Sequence, residues 1–209
     1  DIETTGLDKN KNDILEIYSQ AYDTKKMIKV GKPFYGKIIY PHDHQLIWDN
    51  SALEMAHNNG LLKEYLENVK KYSMGDKILS ENFIVGDLEQ ILASFKSFIF
   101  FVARKEFIQH LIKISDLYDD PNTYEVYNYF AGINVYFDRD FLVSKDKIFK
   151  DLISHRTFEI RTLQLLIEEN ISYSLFKNLD KKPHRAKEDV EYSINLFEKI
   201  VYQNIKILE

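Results

Sequence analysis

The apolar residues of this chain follow two different periods, and that restricts the fold more than any other feature. Over Ile14–Tyr22 they alternate, as in a half-buried strand, and a second extended run follows over Phe34–Tyr40, ended by Pro41. The Lys-rich segment between them, Asp23–Gly31, is expected to close a hairpin. From Asp87 the spacing becomes helical. Leu88, Ile91, Leu92, Phe95, Phe98, Ile99 and Val102 share a stripe behind a cap at Asp87, with Gln90 in the capping-box position. The pattern resumes through Phe107, Leu111 and Ile114, so one long helix or two stacked ones are expected over Asp87–Leu117, with a break at Asp119-Asp120-Pro121-Asn122. A hairpin followed by helices and short strands predicts an α/β domain around a mixed sheet flanked by helices.

The shorter elements follow from caps and breakers. Ser51–Ala56 suits a helix capped by Ser51 or Asn50, and Leu61–Tyr72 suits another, started after Gly60. Tyr124–Ile133 reads as a buried strand, Asp138–Leu152 as a helix, Thr157–Ile160 as a strand and Thr162–Glu169 as a helix. Asp180–Pro183 is expected to be a loop. Arg185–Ile207 reads as a last amphipathic helix with Ala186, Val190, Ile194, Phe197 and Val201 on its apolar stripe.

Composition removes several classes of function. The 209 residues suit a single domain, and 44% hydrophobic and 14% aromatic content can fill a core. There is no cysteine, so disulfides, thiolate metal sites and cysteine nucleophiles are excluded, and a cytoplasmic location is permitted. No apolar run is long enough for a membrane span. The net charge of -5 argues against a tight grip along a long duplex, where phosphate neutralisation supplies the affinity; it leaves open a site that takes one strand end.

Three stretches carry candidate chemistry. In Asp1-Ile2-Glu3-Thr4-Thr5-Gly6-Leu7 two carboxylates two residues apart, at a strand end, point the same way and offer oxygen ligands to hard cations. Thr-Thr-Gly then turns the chain sharply enough for a phosphate or sugar to approach. In Asn134-Val135-Tyr136-Phe137-Asp138 an acid stands where a strand passes into a helix, and in His184-Arg185-Ala186-Lys187-Glu188-Asp189 a histidine and an acid stand at the start of the last helix. Each has an ordinary explanation on its own: solvated surface acids, a helix N-cap at Asp138, and an unrelated histidine and aspartate.

Together, in this order, DxETTGL, NxxFDxxFL and HRAxxD resemble the motifs of the DEDD 3′→5′ exonucleases. The resemblance implies an RNase H-like mixed sheet flanked by helices, in which Asp1, Glu3, Asp138 and Asp189 hold two divalent ions, Mg²⁺ or Mn²⁺. It implies a catalytic base at His184, the mark of the DEDDh subclass; Arg185 stands where the tyrosine subclass has its tyrosine. Within the family the chain is most similar to oligoribonucleases: HRAKEDVEYSI resembles their last motif, His155–Leu163 their Y-R…S-T segment, and Met55–Leu61 the segment before their middle helix. It departs from them at His155 and Arg161, which replace the tyrosine and serine of that segment, and at Thr4, where a methionine is usual. A longer gap before Asp138 implies a helical insertion at about 97–122. The family's DxE ends its first strand, so that strand is expected upstream of Asp1.

What the resemblance implies is hydrolysis of single-stranded RNA or DNA, or of short oligonucleotides, to nucleoside 5′-monophosphates. Paired metals lower the pKa of the attacking water and stabilise the leaving oxygen, and an imidazole titrates near neutrality, as a base should. Substrate contacts are expected from Thr4, Thr5, Gly6, Leu7, Trp48, His57, Asn134 and Phe137. Trp48 and Tyr136 are stacking candidates or core rings. Arg156, Arg161 and Arg185 are phosphate ligands or surface residues. The oligoribonuclease likeness implies a homodimer. Two alternatives stand beside it: a proofreading-type DNA exonuclease, and a non-catalytic nucleic-acid-binding module on the same fold.

Overall fold

Alternation in Ile14–Tyr22 produces the longest strand pairing among the described residues. In the computed structural model, which describes residues 1–24, 26–74, 82–100, 129–170 and 184–208, β2 (Ile14–Asp23) runs antiparallel to β3 (Ile28–Ile38). The hairpin is longer than its composition suggests. Pairs Ala21↔Val30, Tyr22↔Lys29 and Asp23↔Ile28 extend the ladder through the lysine-rich segment, so β3 begins six residues before Phe34. Lysine on a strand costs little when its head group reaches water or a partner, and Lys29 meets Glu191.

β1 (Ile2–Thr4) pairs antiparallel with β2, and β4 (Ile84–Gly86) pairs parallel with β3, giving a mixed sheet in the order β1-β2-β3-β4. Two helices come between β3 and β4. α1 (Asn50–Asn58) follows Asp49 rather than a capping Ser51 or Asn50, and the Asp49 carboxylate accepts the N–H of Leu7 instead of capping the helix. α2 (Leu61–Ser73) starts after Gly60, whose φ of 80° suits glycine. α3 begins at residue 88 and is described to residue 100. Its cap is as expected, the Gln90 N–H donating to Asp87 Oδ1 at 2.8 Å. The continuation of that helix through Phe107, Leu111 and Ile114, the break at Asp119–Asn122, most of the 97–122 insertion and the loop at Asp180–Pro183 lie outside the described residues.

Strand alternation assigns the two faces of the sheet. Ile17, Phe34 and Gly36 face α3. Phe34 packs on Phe95 with ring centroids 4.9 Å apart, and a Cβ on Gly36 would come within 2.6 Å of Ile91 Cγ2. Glu16, Tyr18 and Tyr35 face the opposite way, toward α2 and the last helix. The main core lies on the α3 side and is extended by Phe141, Leu142, Phe149 and Ile153.

The C-terminal half adds a two-stranded parallel sheet of β5 (Phe130–Gly132) and β6 (Thr157–Glu159). Only the end of the strand expected over Tyr124–Ile133 falls within the described residues. That end is not buried, because among the described residues it pairs on one side only; Ala131 and Tyr129 are exposed. The helix expected over Asp138–Leu152 is two, α4 (Val135–Lys145) and α5 (Phe149–Leu152), with Asp146 in extended conformation between them. α6 (Ile160–Asn170) follows β6, and α7 (Ala186–Leu208) closes the chain.

The buried stripe of α7 differs from the expected one. Ala186, Asp189, Ser193, Leu196 and Ile200 are buried, whereas Val190, Ile194, Phe197 and Val201 are only partly so. Apolar spacing alone skipped two polar positions that the fold turns inward. Among the described residues no helix is long and apolar enough to cross a membrane.

Candidate metal centre

Among the described residues β1 ends the four-stranded sheet, and the site forms there. Asp1 and Tyr18 exchange backbone hydrogen bonds, N to Tyr18 O at 2.9 Å and Tyr18 N to Asp1 O at 3.0 Å. Hydrogen-bonded pairs alternate with non-bonded ones in an antiparallel ladder, so the next residue, Ile2, directs its N–H away from β2. Asp138 takes that N–H on Oδ1 at 2.8 Å. An amide that β2 leaves unpaired thus holds a carboxylate from the first turn of α4, where the helix dipole also favours negative charge. Asp138 is therefore not the N-cap of its helix. The helix starts three residues earlier, after Asn134, whose φ of 60° makes the turn out of β5.

Asp1 and Glu3 flank Ile2 and share the other face of β1. Asp189, the fourth residue of α7, comes down beside them, and Asp1, Glu3 and Asp189 each place a carboxylate oxygen within 4.8 Å of the others. Asp1 and Glu3 are half-buried, while Asp138 and Asp189 are 6% and 3% exposed. Four acids from three distant parts of the chain, two of them nearly out of water, make a strongly negative, oxygen-rich corner. Such a donor set fits a hard divalent cation, which prefers oxygen ligands and offsets the cost of crowding like charges.

His184 does not belong to that group of mutually close ligand atoms. It is exposed, has a φ of 54°, and lines an open groove with Ser51, Glu54, Met55, Asn58 and Asn59. The Asn59 side-chain amide donates to its carbonyl oxygen, fixing the backbone at the start of α7 against α1.

The residues expected to meet substrate divide into two sets. Thr5 is fully buried, and its hydroxyl accepts the Asp13 N–H at 2.9 Å, so its side chain braces the turn. Thr4 donates its hydroxyl to Gly6 O at 2.7 Å. A Cβ on Gly6 would lie 2.2 Å from Asp49 Oδ2 and 2.6 Å from Asn12 Oδ1, so a side chain there would displace the Asp49 carboxylate that holds the Leu7 N–H. Trp48 and Phe137 are half-buried against the main core. Leu7, 77% exposed, together with His57, Asn134 and Tyr136, stands on the surface.

A charged network under the site escaped the sequence reading. Glu16, with no solvent exposure, is the cross-strand partner of Glu3 on one side and Lys37 on the other. Arg185 donates to Glu16 Oε2 from Nε at 3.2 Å and reaches Glu64 Oε2 with Nη2 at 2.7 Å. Tyr35 donates to Glu16, and Lys37 pairs with Glu64. Burial pushes the Glu16 carboxyl up, opposed chiefly by the Arg185 charge. Burial and the Glu16 charge together push the Tyr35 hydroxyl far up. Arg185 is thus engaged by two carboxylates, with 17% of its side chain exposed, and is not a freely solvated residue. One signal was present: an acid in the middle of the apolar run Ile14-Leu15-Glu16-Ile17 demands a buried cation.

No protein-family model matches this chain, and no curated protein matches it in sequence.

Proposed function

We propose that this chain is a metal-dependent 3′→5′ exonuclease of the DEDDh kind, built on an RNase H-like sheet, that removes nucleotides from the end of a single strand or a short oligonucleotide. One observation carries this. The acids singled out by three separated motifs meet at one sheet edge, three of them with oxygens within 4.8 Å and the fourth bound to the amide between the first two. Asp1, Glu3, Asp189 and Asp138 would hold two divalent cations, Mg²⁺ or Mn²⁺, which when bound activate water and neutralise charge on a phosphodiester. The protein's own part is to orient these oxygens. Asp138 is fixed by a backbone donor, and Asp189 by a helix that opens with its own N–H bonded to Arg185 O at 2.9 Å. His184, on the open groove beside α1, would take the proton of the attacking water on an imidazole nitrogen. Leu7, exposed on the turn that follows β1, presents an apolar surface for a terminal base.

A second reading, a non-catalytic nucleic-acid-binding module, draws on the position of His184 outside the carboxylate group. Incubation of 5′-labelled RNA and DNA, from dinucleotides to long single strands, with Mn²⁺ or Mg²⁺ and with EDTA separates the two. The exonuclease yields products shortened from the 3′ end that EDTA suppresses, and Asp138→Ala reduces them to background. Binding of the same strands without release of mononucleotides would establish the module instead. A preference for long DNA over short RNA would mark a proofreading-type enzyme.

A further inference from the structure

We infer that Arg185 is a positioning residue that sets the separation of Glu3 and Asp189, the carboxylates that approach from the sheet and from the last helix. This rests on the exonuclease reading above. The link is continuous. Glu3 is paired across the strands with Glu16, and side chains directly opposite in an antiparallel pair are about 5 Å apart on one face. Arg185 binds Glu16 through both Nε and Nη2, at 3.2 Å and 3.0 Å. The carbonyl of Arg185 then accepts the Asp189 N–H at 2.9 Å as the helix begins. One side chain therefore joins the strand pair that carries Glu3 to the first turn that carries Asp189.

The guanidinium suits this task because it is a planar fork with donors on several edges. It engages Glu16 at two nitrogens and reaches Glu64 on α2 from the same Nη2. An ammonium at this position keeps the charge but cannot fix the helix start in both directions. Arg185 also neutralises Glu16, which otherwise adds a buried negative charge to the face that carries Glu3. Lys37 belongs to the same network, opposite Glu16 on the strand pair, but among the described residues its side chain pairs with Glu64 and lies over the Tyr35 and Phe83 rings rather than on the start of α7.

The test compares the full chain with its Arg185→Lys, Glu16→Gln, Lys37→Met and Asp189→Asn variants. Mn²⁺ uptake is read by calorimetry, exchange of the Asp189 amide is read in metal-free protein, and circular dichroism confirms folding. Arg185→Lys is expected to weaken Mn²⁺ binding by about tenfold or more, as the loss of a residue that orients a ligand does, and to speed exchange at Asp189. Glu16→Gln, which keeps the shape of the strand and is the check if Arg185→Lys fails to fold, is expected to shift both in the same direction. Lys37→Met is expected to leave both within about twofold, below the range that such orienting residues show. Equal shifts in Arg185→Lys and Lys37→Met, or Mn²⁺ binding unchanged in Arg185→Lys and Glu16→Gln while Asp189→Asn abolishes it, overturn the positioning role alone. No Mn²⁺ uptake by the unmodified chain, or uptake untouched by Asp189→Asn, overturns the exonuclease reading and this inference with it.

Discussion

Toward α3 the sheet presents Ile17, Phe34 and Gly36, and the helix answers with Ile91, Phe95 and Ile99. Phe95 packs against Phe34, Phe98 and Phe149 with ring centroids 4.9, 6.2 and 5.8 Å away. Toward α7 the same strands present Glu16, Tyr18 and Tyr35, answered by Arg185 just before the helix and by Glu191 on it. The first face is apolar and closely packed, so it supplies stability through burial and contact. The second spends part of the burial on ions that contribute little net stability but are fixed in direction. The difference teaches why the acids gather on one side: the rigid apolar half allows the polar half to hold like charges close together.

The largest effect that would sharpen this contrast is Phe95→Ala, expected to cost about 3–5 kcal/mol in urea unfolding, with any cleavage per folded molecule unchanged. A loss below about 1 kcal/mol, less than any buried large-to-small change of this kind, would show that the α3 face is not the stabilising one. Asp189→Asn is expected to act on the other face. Mn²⁺ uptake, read by calorimetry, should disappear, while the unfolding free energy of the metal-free protein changes by less than in Phe95→Ala. A loss as large as that of Phe95→Ala would mean that the acid corner carries stability as the α3 face does.

Alkali should next separate the two faces. Burial, followed by the charge of Glu191, pushes the Tyr18 hydroxyl up to about 12. An unfolded tyrosine titrates near 10, so the folded state holds this proton more tightly. The stability it contributes is complete below pH of about 10 and is lost as pH rises through about 12. Melting temperatures across that range should fall less steeply for Tyr18→Phe than for the unmodified chain, and equal slopes would remove Tyr18 from the account. Least of all, Lys9→Ala breaks the exposed pair with Asp140 at 2.9 Å and should change stability by about 1 kcal/mol or less; a larger loss would place a third stabilising region outside both faces.

Elements that depend on neighbours along the chain were legible. β2, α2, β6, α6 and the extent of α7 follow from alternation, Gly60 and apolar spacing. Asp1 and Glu3 follow too, since period two puts them on one side of a strand. The early start of β3 was not legible, because lysines read as loop until a partner strand and Glu191 are in place. The start of α4 at Val135 was hidden because Asn134 makes its turn with a left-handed backbone and no capping side chain. On α7, Asp189 and Ser193 break the apolar stripe on the page yet lie buried in space.

The amino-acid order by itself determined the mixed α/β character, the absence of thiol chemistry and the three acidic motifs, because period, composition and spacing are local properties. Only the tertiary structure decided that Asp138 bonds the Ile2 amide, that His184 stands apart from the carboxylate group, and that Arg185 is locked between Glu16 and Glu64. Those contacts join residues more than a hundred positions apart, and they exist only once α4 and α7 are packed beside the first two strands.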